Sequence, residues 1–271
     1  MTRLFAFAFS ALLLLIGSTP AQAAVPPWKV QCTFTDSRFD EISGITRSQS
    51  YPGILYLHND SSGGPRIYAI DEHTCKTKAT FTIRGAKARD FEAIASGRDA
   101  KGRPIIWLGD IGDNRDSWPY VEVLKIREPH TLASQSLTAS TYRVTYPDIP
   151  HNAETLLANP NSSQVWIVTK QLAHGSLYAL PNPLKKNNRA VQLRTEGGLI
   201  TDGAVSPLGD RYVLRTYFDA TVFSGLPAGK ELKTFDLPAQ VQGEAVTWTA
   251  DGKALLIASE RDHRLLRVAV P

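Results

Sequence analysis

Along the chain, apolar residues fall in short runs separated by turn-forming clusters such as Ser61-Ser-Gly-Gly-Pro65, Pro207-Leu-Gly209 and Ala250-Asp-Gly252. Runs of this length, rich in Trp, Tyr, Ile, Leu and Val, predict strands. They group in fours. The first group is 42–47, 54–58, 66–70 and 78–83. The second is 91–96, 105–109, 120–126 and 141–146, with a long link over 127–140 before its last strand. The third is 153–158, 164–169, 176–180 and 190–194, and the fourth is 202–206, 212–216, 220–223 and 232–237. The fifth has only 244–249, 254–259 and 264–270, because the chain ends there.

Every group opens on one short pattern: Glu41-Ile-Ser-Gly-Ile45, Asp90-Phe-Glu-Ala-Ile94, Asn152-Ala-Glu-Thr-Leu156, Thr201-Asp-Gly-Ala-Val205 and Gln242-Gly-Glu-Ala-Val246. The aligned column reads Ser43, Glu92, Glu154, Asp202, Glu244. A small or short residue follows it, Gly44, Ala93, Thr155, Gly203 or Ala245, and then an apolar one. Repetition at intervals of 42 to 62 residues means stacked or radial units, and a turn followed by a strand favours the radial kind. The expected fold is all-β, a five-bladed β-propeller. Six blades is the alternative, with a degenerate blade inside the longest interval. A propeller must close its ring or leave two sheet edges open. The strand-like segment Lys29 to Phe34 is expected to close it as the outermost strand of the fifth blade.

Residues 1–23 stand apart from this pattern. Arg3, the apolar run Leu4 to Ile16 and the small-residue site Ala21-Gln-Ala23 read as a secretory signal peptide cleaved after Ala23. It is too short for a good membrane span, and no later segment is apolar enough for one. Residues 24–271 are expected to be one exported domain, periplasmic or secreted, and monomeric. Net charge is only +4, with acids and bases mixed along the chain, which excludes a nucleic-acid footprint. The densest basic cluster, Lys185 to Arg189, reads as a solvated loop. Export permits disulfides. The two cysteines are Cys32, on the closing strand, and Cys75, in a turn of the first blade. A bridge between them would clamp the first and last blades.

The first strand of each propeller blade faces a central channel, so the column would form a ring. Four carboxylates so close repel, and must protonate or meet a cation. Oxygen-only ligands suit Ca²⁺ ahead of Mg²⁺, with Ser43 adding a neutral oxygen. Glu41, Asp90, Asn152 and Gln242, two positions earlier, would support the ligands from behind. The same acids could instead cap strand ends and bond to neighbouring blades, or act as catalytic carboxylates. A second ring is expected at the ends of the second strands, at Asp60, Asp110, Lys170, Arg215 and Glu260. Its mixed charges could orient a small anionic or sugar-like ligand, or satisfy one another.

Asp110 to Asp116 opens like an EF-hand loop, but Arg115 stands where Gly is required and Val121 holds the twelfth place, so it reads as a turn. Gly-x-Ser-x-Gly, His-Glu-x-x-His, the phosphate-binding loop and the dinucleotide fingerprint are missing from the sequence. The histidines are scattered, which argues against zinc.

The motifs Glu-Ile-Ser-Gly-Ile, Asp-Phe-Glu-Ala-Ile-Ala and Gln-Gly-Glu-Ala-Val resemble those of the secreted SdiA-regulated propeller family. More distantly they resemble the calcium-activated apyrases. The whole chain also looks like exported bacterial proteins with WD40-like repeats, although the Trp-Asp ending is missing. The resemblance runs as short motifs over 40–260. It implies five blades and a central Ca²⁺ held by Ser43, Glu92, Glu154, Asp202 and Glu244. Asp202 departs from the apyrase pattern, which has Ser there, and adds negative charge. The apyrase nucleotide-binding loops have no counterpart, so that activity is not implied. Two functions are therefore expected. One is an exported calcium-binding propeller that binds a ligand or a protein. The alternative is a metal-dependent phosphoester or carboxylester hydrolase, with Lys170 and Arg215 stabilising developing negative charge.

Overall fold

The computed structural model describes residues 25–60, 63–226 and 229–271. The segment read as a signal peptide lies outside them, as do Ser61 and Ser62. Among the described residues the fold is all-β, without an α-helix, and no helix is long and apolar enough to cross a membrane.

After β1 (Trp28–Thr33) come five runs of antiparallel strands in chain order. They are β2 (Ile42–Arg47) to β5 (Thr77–Arg84) through β3 (Ile54–Asn59) and β4 (Arg66–Asp71), then β6 (Phe91–Arg98), β7 (Pro104–Asp110), β8 (Val121–Arg127) and β9 (Gln135–Thr145). The third run is β10 (Ala153–Ala158), β11 (Val165–Thr169) and β12 (Ser176–Ala179), skipping β13 (Asn187–Arg189) to end on β14 (Val191–Thr195). The fourth is β15 (Asp202–Val205), β16 (Arg211–Arg215), β17 (Asp219–Ser224) and β18 (Glu231–Asp236). The last is β19 (Gln242–Trp248), β20 (Ala254–Glu260) and β21 (Asp262–Ala269), and its fourth strand is β1, which pairs with β21 from Trp28 opposite Val268 to Thr33 opposite Arg264.

Burial explains this order. The first two strands of a run are buried along most of their length, as in β2, β3, β10 and β11. Outer strands such as β1, β14 and β18 are largely exposed. The near-continuous apolar runs therefore sit inside, and the more polar strands face solvent. Each apolar cluster draws on two runs. One joins the first and second, through Tyr56, Phe81 and Leu108. Others join the second and third, the third and fourth, the fourth and last, and the last and first. Their opening strands are neighbours in the same order: β2 beside β6, β6 beside β10, β10 beside β15, β15 beside β19 and β19 beside β2.

Two stretches depart from expectation. The link over 127–140 is half strand, because β9 begins at Gln135. Its first residues pair in parallel with β5, from Phe81–Gln135 to Arg84–Thr138, which joins the first two runs into one hydrogen-bonded sheet. Ser, Thr and Gln dominate that stretch, and an outer strand needs little apolar content. The basic cluster at 185–189 is not simply a solvated loop either. Asn187 to Arg189 is β13, paired in parallel with β9. The buried Asn188 amide donates to the carbonyls of Arg143 and Lys185, while the cationic side chains stay exposed. Cys32 and Cys75 form a disulfide, with Cα atoms 5.7 Å apart. It joins the strand that completes the last run to a turn of the first.

Candidate functional site

At the start of four opening strands the ladder skips one residue, and that residue is the repeated column. Ile42 pairs with Asn59 and Gly44 with His58, leaving Ser43 over. Glu92, Glu154 and Glu244 are left over in the same way. Such a β-bulge bends the strand and re-aims a side chain. The small residue that follows has a reason where it can be tested: a Cβ on Gly44 would lie 2.4 Å from Nε2 of His58. β15 has no bulge, and Asp202 pairs directly with Arg215.

The five residues of the column meet different partners. Ser43 Oγ donates to Glu92 Oε2 at 3.0 Å. Lys170, at the end of β11, brings its own cation to the acids, with Nζ 2.7 Å from Glu154 Oε1 and 3.8 Å from Glu244 Oε1. Glu244 also accepts from Gln242 at 3.0 Å and Tyr217 at 3.3 Å. Asp202 Oδ2 accepts from the Val246 amide at 2.7 Å. Glu154 Oε2 and Asp202 Oδ1 are buried with no partner among the described residues.

The acids that do converge are Asp60, Asp90 and Glu92, each with a carboxylate oxygen within 4.8 Å of the others. Burial first, then the charge of Asp60, pushes the Asp90 carboxyl up to about 7. Burial, with Glu154 and Asp60 next, raises Glu92 well above the usual carboxylate range. Burial also lifts Glu154 to about 7, although Lys170 opposes it. Glu260 is lifted to about 8 by burial and then by Glu244. This end of the opening strands is therefore rich in carboxyls whose charge is poorly compensated.

The five residues at the second-strand ends also meet different partners. Asp60 joins Asp90 and Glu92, Lys170 joins Glu154, and Glu260 faces Glu244. Asp110 is buried, ion-paired with Arg89 at 3.0 Å and accepting from the Asp90 amide at 2.8 Å. Arg215 is fully buried. It donates to the carbonyls of Thr216, Ala245 and Ala258 and to Gln240, and burial lowers its pKa to about 10. Arg215 thus ties the fourth run to the last. The loop at 110–116 is a turn, in which Asp113 accepts from the amides of Ser117 and Trp118 at 2.7 and 2.6 Å.

Asp90 stands at the position expected to support the ligands from behind, and its closeness to Asp60, thirty residues away just past the end of β3, has no signature in the sequence. Comparison with models of protein families gave no match for this chain, and neither did comparison with curated proteins.

Proposed function

We propose that this chain is an exported five-bladed β-propeller, closed by β1, that holds a hard divalent cation at the acid end of its opening strands and binds a ligand or a protein over it. The fold reading is supported by five four-strand runs, by apolar clusters between successive runs and by the pairing of β1 with β21. It agrees with the resemblance to SdiA-regulated propellers. The Cys32–Cys75 bridge and the signal-like residues 1–23 support export.

The observation that carries the cation is the convergence of Asp60, Asp90 and Glu92 within 4.8 Å. These donors are all hard oxygens, and Ser43 Oγ adds a neutral one beside Glu92. That set fits Ca²⁺ before any softer ion. The site is narrower than the column of Ser43, Glu92, Glu154, Asp202 and Glu244. Lys170 already compensates Glu154 and Glu244, and Asp202 is engaged by the backbone. A bound Ca²⁺ would use its remaining positions for the oxygens of an anionic or sugar-like ligand. Leu172, Phe218 and Val241 are 84%, 69% and 67% exposed on loops leaving the same strand ends, which suits a partner with apolar surface.

Calorimetric titration of the metal-stripped exported chain with Ca²⁺ tests this. Saturable binding is expected, with Asp90→Asn weakening it by about tenfold or more and Asp202→Asn leaving it nearly unchanged. No binding would refute the cation. Equal losses in both variants would return the ion to the five-residue column.

A further inference from the structure

The opposite ends of the same strands enclose a cavity of about 300 Å³. All five opening strands line it, through Thr46, Ser96, Ala158, Ala204 and Trp248. That volume lies at the small end of the range for ligand pockets. Its chemistry is the reverse of the acid end. No carboxylate lines it among the described residues, whereas Arg47 and Arg98 both do.

The two guanidiniums are not equivalent. Arg47 is ion-paired with Glu72 and donates to the Trp248 carbonyl. Arg98 has no ion pair among the described residues, and only its Nη1 is engaged, on the Gly102 carbonyl at 2.8 Å. Its other N–H groups remain able to bind a carboxylate in the bidentate manner that guanidinium favours. Gln49 supplies a second unmet need. Its Nε2 donates to the Pro160 carbonyl at 3.2 Å, and its Oε1 is buried with no partner. A buried acceptor left unpaired is costly, so a donor delivered there is rewarded. Between these polar groups the wall is apolar, with Ile94, Val205 and Trp248.

We propose that this cavity is a second ligand site, specific for a compact organic monocarboxylate that carries a hydroxyl and an apolar body. The carboxylate pairs with Arg98, the hydroxyl donates to Gln49 Oε1, and the body lies against Trp248 and Val205. The site is separate from the proposed cation and works without it.

Mandelate has these three features in a small frame, and mandelamide differs from it only in replacing the carboxylate by a neutral amide of similar size. The test is an NMR titration of the exported chain with each, reading the Trp248 indole N–H, which donates to the Ala204 carbonyl at 3.0 Å in the cavity wall. Mandelate is expected to shift that signal saturably below about 10 mM. Mandelamide, or mandelate on Arg98→Gln, should bind about tenfold more weakly or worse. Arg98 is half exposed and makes one side-chain bond, so the variant keeps its fold. Chelator and Asp90→Asn should leave mandelate binding unchanged, which separates this result from that of the Ca²⁺ titration. No saturable shift by about 10 mM overturns the proposal. So does equal binding of acid and amide, or of mandelate to the wild-type and Arg98→Gln chains.

Discussion

At the residue scale, several carboxyls at the acid end hold their protons to a higher pH in the folded state than in the unfolded one. Asp90 and Glu154 are pushed up to about 7 and Glu260 to about 8, in each case by burial first. Unfolded, the same groups lose their protons near pH 4. Between those limits the folded chain binds more protons than the unfolded one, so stability falls as pH rises. His58 acts in the opposite sense. Burial lowers its pKa from 6.5 to about 4, so over that span the unfolded chain binds the extra proton and stability rises with pH. The carboxyls therefore act without that opposition between pH 6.5 and 8. In chelator, the melting temperature is expected to fall across this window, and Glu260→Gln should flatten the fall. Saturating Ca²⁺ should flatten it too, because a cation favours the deprotonated forms. A melting temperature that holds or climbs across the window would remove this account of the acid end.

At the element scale, β1 depends on both its ladder with β21 and its covalent link to Cys75. The bridge closes a loop of 43 residues, worth about 4 kcal/mol in the chain-entropy account. For a chain of this size that corresponds to a loss of about 10 °C in melting temperature on reduction. Calorimetry with and without a reductant measures it, and Cys75→Ala should behave like the reduced protein. If reduction leaves the transition in place, the ladder alone secures β1. Strand positions were largely legible, since β2 and β10 begin and end where apolar periodicity puts them. The outer part of β9 and the short β13 were not. Their residues are polar, and they are strands because an exposed edge nearby accepts their hydrogen bonds.

At the scale of the whole molecule, each apolar cluster is shared between two runs of strands, so none has a core of its own. Leu214 lies in the cluster between the third and fourth runs. Leu214→Ala should cost about 3 kcal/mol through lost burial and the cavity left behind. Because neighbours share cores, the loss should lower one cooperative transition, seen alike by circular dichroism and tryptophan fluorescence. Separate transitions by the two probes would mean that the runs unfold as independent units.

The sequence by itself determined where the apolar strands and most turns lie and that one polar residue recurs at the head of each group. Apolar periodicity and turn chemistry are local, and a repeated motif is visible without coordinates. It also pointed to Cys32 and Cys75, since one leftover strand and two cysteines allow few arrangements. Only the tertiary structure decided what the recurring residues do. A one-residue bulge aims Ser43, Glu92, Glu154 and Glu244, while its absence leaves Asp202 on a backbone amide. Lys170 reaches two of these acids and Arg215 none of the solvent, although both stand at the ends of second strands. Register and burial set those distances. Both depend on how separate strands pack, so residues that look equivalent in the sequence meet different partners in the fold.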